Sequence, residues 1–292
     1  MDSPKRRWQQ NARVLQVLSS YLNQSPDFID STMINEVSRG DEALCELAYA
    51  SLLAAACGVD RGQSLEDREL FDDYFRHMVH RLDPAICLED SFCRTIVVPE
   101  HGAGTCQLKQ QRSRPYEAFV GNDLESMPDG RCLPQIGFFD CEVPYPAILE
   151  GDRVWMSVTP NEIETMKPAI AQASGRVLTC GLGLGYYAYM VAEKPSVDAV
   201  TVIEQNPEII HLFETHILPQ FPHADKVRVI RGDAFDYVES HLGDGCYDLV
   251  FTDLWHDPSD GVALYLRMKP FEKLSPTTGY LYWIETTLLH YC

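Results

Sequence analysis

Three glycines alternate at Gly181, Gly183 and Gly185, directly behind the apolar run Arg176-Val177-Leu178-Thr179-Cys180. Without a Cβ, such a loop turns sharply and lets a ligand approach the backbone closely. A second apolar run, Ala199 to Ile203, ends in Glu204, at about the 20-residue interval expected of a carboxylate that accepts from ribose hydroxyls. A third, Val227 to Ile230, ends in Arg231-Gly232-Asp233-Ala234. There Asp233 can accept from an exocyclic amine, with the Ala234 amide near a ring nitrogen. A backbone ledge and two acids in this order are the means of holding a nucleoside. After a fourth run, Tyr247 to Asp253, comes Leu254-Trp255-His256-Asp257-Pro258. His256 is a general base suited to neutral pH, and Asp253 can hold a nucleophile or an amino group.

Each feature has a plainer reading. A glycine turn can be a tight strand-to-helix connection, a strand-end Glu can be solvated, and an Asp before a helix can be an N-cap. His256 can be incidental to an Asp-Pro turn. The first three features in chain order, on successive strands, favour the nucleoside reading. A dinucleotide fingerprint needs its third glycine one residue later and small. That position is the bulky Tyr186, so the loop suits a ligand without a diphosphate.

These residues need a scaffold that brings strand ends together. Short β-branched runs alternating with helical segments predict a parallel sheet with crossover helices, whose ligands bind at the carboxyl ends of the strands. The helix-like segment Tyr186 to Ala192 follows the glycine loop. Before the first strand, Thr159-Pro160-Asn161-Glu162 predicts a helix start, with Thr159 capping and Glu162 closing a capping box. That helix is expected to reach about Ala173 and to offer Met166 or Glu164 as a shield for the ligand's tail. A helix over about 261–274 and a fifth strand, Gly279 to Glu285, complete the series.

This block resembles a class I S-adenosylmethionine-dependent methyltransferase, and within that superfamily the spermidine-synthase-like branch. Val177 to Gly185, Val202 to Pro207, Val227 to Ala234 and Tyr247 to Leu254 resemble its first four motifs, and the resemblance covers about the last 140 residues. It implies a Rossmann-like doubly wound fold and S-adenosylmethionine as cofactor, leaving S-adenosylhomocysteine. It implies that Gly181, Gly183 and Gly185 line the methionine moiety, that Glu204 binds ribose, and that Asp233 with Ala234 holds adenine. Thr179 departs from the acid many members carry in the first strand. Methyl transfer is an in-line displacement at a sulfonium, so the protein mainly aligns the partners. Two alternatives stay open. In an aminopropyltransferase of the spermidine synthase type, Asp253 and Asp257-Pro258 resemble the Asp-x-x-Asp-Pro signature with one extra residue between the acids. The other is a non-catalytic S-adenosylmethionine-binding protein.

Upstream, Val14, Leu15, Leu18, Tyr21 and Leu22, then Leu44, Leu47, Ala48 and Leu52, then Leu70, Phe71, Tyr74, Phe75, Met78 and Leu82 recur at helical spacing. A further short helix is expected within Asp27 to Val37. The division is therefore an N-terminal helical domain and linker over 1–110, a small β unit over 111–158, and a Rossmann-like domain over 159–292. The helical domain has two candidate tasks, dimerisation and covering the active site. His77 and His80, three apart on the last predicted helix, lack a third metal ligand at suitable spacing. Residues 87–129 read as loop-rich, with one short strand at Thr95 to Val98. Glu150-Gly151-Asp152 predicts a hairpin turn. The resemblance leaves the sheet's far edge two strands short, and a homodimer is one candidate for covering it.

The chain has 292 residues with 45% hydrophobic and 23% charged content, the balance of a globular protein. A net charge of −19 opposes general nucleic-acid binding and favours a small neutral or cationic acceptor. No apolar run spans a bilayer, the first ten residues lack a signal-peptide core, and Trp155, Trp255, Tyr116 and Tyr145 are candidate pocket aromatics. Ten scattered cysteines without a Cys-x-x-Cys pair argue against structural zinc and for a reducing cytoplasm. Cys45, Cys57, Cys180 and Cys246 are expected to pack as small hydrophobes.

Overall fold

The computed structural model describes residues 4–292, so the first three residues of the expected N-terminal domain lie outside it. The chain forms two compact units, one of residues 4–86 with Arg112–Pro144, the other of Cys87–Gln111 with Tyr145–Cys292. These do not follow the three expected segments. Strand Cys132–Phe138 pairs with Val79–Arg81, so the middle of the chain is divided between the two units.

The second unit is built on five parallel strands, β1 (Gly175–Cys180), β2 (Val197–Glu204), β3 (Val227–Arg231), β4 (Leu249–Thr252) and β5 (Gly279–Tyr282), in the order β3-β2-β1-β4-β5. Val177, Val200, Val202, Val250 and Phe251 are buried, as expected of strands covered on both faces. The order reverses between β1 and β4, which makes the crevice outside their carboxyl ends the switch point of a doubly wound sheet. Cys180 lies opposite both Ile203 and Thr252, and Glu204 opposite Arg231, so four strands end nearly level. The ladder continues one residue further: the amides of Gly181, Gly232, Asp253 and Trp283 donate to Ile203, Glu204, Cys180 and Thr252. The predicted site residues therefore leave one sheet edge together.

The crossover helices are α1 (Pro160–Gln172), α2 (Tyr186–Ala192), α3 (Pro207–Leu212), α4 (Ala234–His241) and α5 (Pro258–Met268), followed after β5 by α6 (Glu285–Tyr291). Helix α2 spans the residues expected of it. Pro160 starts α1 as expected, but Thr159 makes no side-chain cap bond. Tyr186 is buried, and its hydroxyl donates to Asp90, the N-cap of the short helix Ser91–Thr95, at 3.1 Å. Phe92 packs edge-on against both Tyr186 and Tyr189, which anchors the helix behind the glycine loop.

The same unit holds a four-stranded sheet in the order His101–Ala103, Cys106–Ser113, Val143–Glu150, Arg153–Ser157. The expected hairpin at residues 150–152 is present, with Glu150 opposite Arg153. The stretch taken for a linker is wrong in kind: Ser91–Thr95 is a helix, and Cys106–Ser113 and Phe119–Ser126 are strands. In the first of these strands Cys106 and Leu108 are buried one residue apart and Ser113 at the far end, and the long polar side chains between hide the alternation. The β strands stay separate from the parallel sheet and do not extend it.

The first unit packs helices Pro4–Gln24, Ser31–Ser38 and Cys45–Ala56, with a helical run from Leu65 to Met78, around Val14, Leu18, Tyr49, Leu53, Phe71 and Tyr74. The first and third predicted stripes pack into or against this core, whereas Leu44 and Leu47 of the second are exposed. Tyr49 stacks on Phe138 at 4.1 Å, and the buried Tyr74 hydroxyl donates to Asn11 at 2.6 Å. The last helix ends at Met78, before the predicted Leu82, because Val79–Arg81 turns into a strand. His77 and His80 therefore do not share a helix face, and His80 Nε2 lies 3.1 Å from Gln135 Oε1.

Among the described residues no helix is long and apolar enough to cross a membrane, and no group of three or more His, Cys, Asp or Glu could hold a metal ion. Cys45 and Cys180 are buried and Cys57 partly so, whereas Cys246 is exposed, contrary to expectation, in the turn before β4.

Candidate functional site

A cleft of about 680 Å³ lies at the carboxyl ends of β1, β2, β3 and β4, a size suited to a nucleoside with a tail. Gly181, Gly183, Glu204, Asp233, Ala234, Asp253 and His256 all line it, so most predicted site residues meet in one place. Gly185 does not line it. Its φ of +77° caps α2, and a Cβ there would stand 2.3 Å from the Phe213 ring, so this glycine serves helix packing.

The loop geometry explains the other two glycines. Gly181 has φ +102°, and a Cβ would lie 1.9 Å from the Asp253 carbonyl oxygen. The exits of β1 and β4 thus cross at van der Waals distance, as neighbours at a switch point must. Gly183, at φ +51°, faces Met156, whose Sδ lies where its Cβ would be and accepts the Leu184 N–H at 3.2 Å. Met156 was not predicted. It comes from the hairpin strand Arg153–Ser157, whose alternation gave no hint of which face meets the loop. The expected shields fail: Met166 is buried in the core, and Glu164 pairs with Lys167.

Glu204 binds backbone rather than standing in solvent. Its Oε2 accepts from Leu182 N–H at 3.3 Å and its Oε1 from Asn206 N–H at 2.8 Å. Burial pushes its pKa up, and these bonds partly offset the rise. The Asp233 Oδ1 caps α4, accepting from Phe235 N–H at 2.8 Å and Asp236 N–H at 3.1 Å. The plainer reading therefore holds for one of its oxygens, and the residue lines the cleft as well. Thr179 is buried, and its hydroxyl lies 3.4 Å from the Gly181 carbonyl, so it supports the ledge from below.

His256 Nδ1 lies 3.1 Å from Asp260 Oδ2, and the ring packs edge-on against Trp155 at 4.1 Å. A carboxylate on Nδ1 orients an imidazole and leaves Nε2 as its basic nitrogen. Asp260 also belongs to the capping box of α5 with Asp257, so a helix start fixes the ring. The indole N–H of Trp283 donates to the Thr165 hydroxyl at 2.8 Å, which makes this residue a further aromatic wall. Of the predicted aromatics, Trp155 and Trp255 line the cleft, and Tyr116 and Tyr145 do not.

Glu162, predicted to close a helix cap, points into the cleft. Its Oε2 is buried and has no hydrogen-bond partner among the described residues. Asp253 lines the same cleft, near enough for its charge to act on Glu162. Both side chains keep a strip of surface on the cleft wall yet sit deep among protein atoms. Burial drives the Asp253 pKa up to about 7, and burial plus the Asp253 charge drives Glu162 well above the usual carboxylate range. The signal for Glu162 existed in its type and position, but the capping pattern accounted for it first.

No family model matches the chain. Two curated tRNA (guanine-N(7)-)-methyltransferases, from Neisseria gonorrhoeae and Neisseria meningitidis serogroup A, are each 28% identical to it over 114 residues, 37% of this chain and 47% of theirs. The chain spans about half the length of the curated relatives it matches. Among solved structures, cofactor-bound Rv0187 from MTB is 28% identical with a TM-score of 0.27, covering 34% of this chain and 43% of that one. A putative caffeoyl-CoA O-methyltransferase from Staphylococcus aureus is 24% identical with a TM-score of 0.27, covering 36% and 45%. The named sequence relatives of this chain are methyltransferases.

Proposed function

We propose that this protein is an S-adenosylmethionine-dependent methyltransferase acting on a small acceptor at the β4 end of the cleft. One observation carries the reading: the glycine ledge, Glu204, Asp233 with Ala234, and Asp253, each from a different strand end, line a single cleft. In this reading Glu204 accepts from ribose hydroxyls, the turn at Asp233 and Ala234 meets the adenine edge, and the ledge lies along the tail. The cofactor, when bound, supplies an activated methyl group. The chain's own part is alignment and proton removal, with His256 Nε2 as base and Asp260 holding the ring.

The curated relatives act, by name, on guanine in tRNA. A cleft lined by five acids (Glu150, Glu162, Glu204, Asp233, Asp253) and two arginines (Arg153, Arg267), in a chain of net charge −19, is poorly made for a phosphate backbone. That balance supports a small neutral or cationic acceptor.

Calorimetry with S-adenosylmethionine, its decarboxylated form and S-adenosylhomocysteine tests the proposal. Binding of the first and last supports methyl transfer, preference for the decarboxylated form would support aminopropyl transfer, and no binding of any would reject the site. Glu204→Ala is expected to weaken S-adenosylhomocysteine binding by about 1–3 kcal/mol through lost charge-assisted bonds. Glu204→Gln, whose single amide oxygen can still accept from one of Leu182 and Asn206, should lose less; equal affinity in all three proteins would remove Glu204 from the site.

His256→Ala is expected to lower the rate of methyl transfer about 100-fold or more while leaving S-adenosylhomocysteine affinity within about twofold. Single-turnover rates beside calorimetric affinities read the two apart. An unchanged rate would leave His256 as a wall of the cleft.

A further inference from the structure

The acids on the cleft floor are paired without a cation. Glu162 comes from the first turn of α1 and Asp253 from the end of β4, two elements brought together by the switch point. Neighbouring carboxylates in a desolvated site cannot both ionise cheaply, and a buried carboxylate oxygen without a donor is costly. A fold keeps such an arrangement where something else completes it. A divalent metal is a poor candidate, since it needs more ligands than two and no group of three metal-binding side chains occurs among the described residues. A proton would silence one charge only. An alkylammonium group supplies a full positive charge and three N–H donors, enough for both acids. The walls favour the same guest: Trp155 and Trp283 line this cleft, and indole faces attract ammonium groups.

We infer that Glu162 and Asp253, both open to the cleft, form a binding site for one alkylammonium group. Two ligands present that chemistry at this place, the amino-acid end of the cofactor and an amine acceptor. The inference deepens the reading proposed above, and only its cofactor arm rests on that reading.

The test uses the full chain and three probes, titrated separately by calorimetry into wild type and Glu162→Gln. The probes are 5′-methylthioadenosine, whose tail carries no charged group, S-adenosylhomocysteine, whose tail carries an ammonium, and butane-1,4-diamine. The variant is isosteric and removes a repulsion, and a thermal melt alongside reports that it is folded. Methylthioadenosine is expected to bind both proteins alike, and an ammonium-bearing probe to bind the variant about 10-fold or more weakly, the loss of one charge-assisted bond. Loss confined to S-adenosylhomocysteine assigns the site to the cofactor's amino group. Loss confined to the diamine assigns it to an amine acceptor. If neither ammonium probe binds wild type more tightly than the variant, the pair is no ammonium site. Failure of both nucleosides to bind wild type would reject the cofactor reading instead, leaving the diamine arm to decide the pair.

Discussion

Gly181→Ala is expected to lower the unfolding free energy by about 3 kcal/mol or more and to abolish cofactor binding. Two independent costs add. An L side chain at φ +102° is strained, and alanine where φ is positive destabilises. The new Cβ would also stand 1.9 Å from the Asp253 carbonyl oxygen, a backbone atom of the β4 exit that cannot rotate away. Relief requires the two strand exits to separate, which moves Asp253 and the ledge together. Gly232→Ala is the matched control, since Gly232 lines the same cleft, has no positive φ, and a Cβ there meets nothing within 4 Å. It should change stability by less than about 0.5 kcal/mol. Three of the four tryptophans, Trp155, Trp255 and Trp283, lie in the α/β unit, so urea unfolding followed by tryptophan fluorescence reports mainly on it. Equal midpoints for the two variants would mean that the strand exits do not cross as described.

The same crossing shows what could be read in advance. β-branched runs, the glycine loop and Glu204 are features of local chain chemistry, and all lie where the periodicity put them. Helix Tyr186–Ala192 was legible because its neighbours on both sides break the pattern. What local pattern could not deliver was direction. Glu162 sits where a capping box would use it, yet its carboxylate turns to the cleft, because α1 is placed by the sheet and not by its own first turn. Met156 reaches the glycine loop from a hairpin whose register is set by pairing with Val143–Glu150. Gly185 looked like a third ledge residue, but its α-carbon faces Phe213, a contact from 28 residues further along.

Polar strands were the other blind spot. Gln107 to Arg114 contains five long polar side chains in its first six residues apart from Leu108, which reads as loop. In the folded protein its partners on either side supply the backbone bonds, and only Leu108 and Ser113 of the segment are buried. Helical periodicity failed in the opposite way at Val79, where an apolar face continues from helix into strand. Helix and strand can bury the same residues, so an apolar pattern fixes burial there and leaves the backbone open.

Raising the pH from about 5 to about 8 is expected to destabilise the ligand-free protein through Asp253 by about 2 kcal/mol, discounted for its partial exposure, and Glu162 acts in the same direction. The Asp253 pKa stands at about 7 in the folded state, against an ordinary value near 4, and Glu162 is also raised. Between those values the folded protein holds protons that the unfolded chain has released, so stability falls as pH rises. The Asp253 contribution is complete below about pH 4 and is lost on passing pH 7. Glu204, likewise raised by burial, adds a slope of the same sign. A difference measurement therefore isolates the pair: urea midpoints at pH 5 and pH 8, for wild type and Glu162→Gln. Removing one acid relieves the repulsion on the other, so the variant should be the more stable protein at pH 8, with the gap closing at pH 5. A bound ammonium should restore the wild type selectively at pH 8, because it binds the ionised pair. A gap that is the same at both pH values would show that the two acids do not share one desolvated floor.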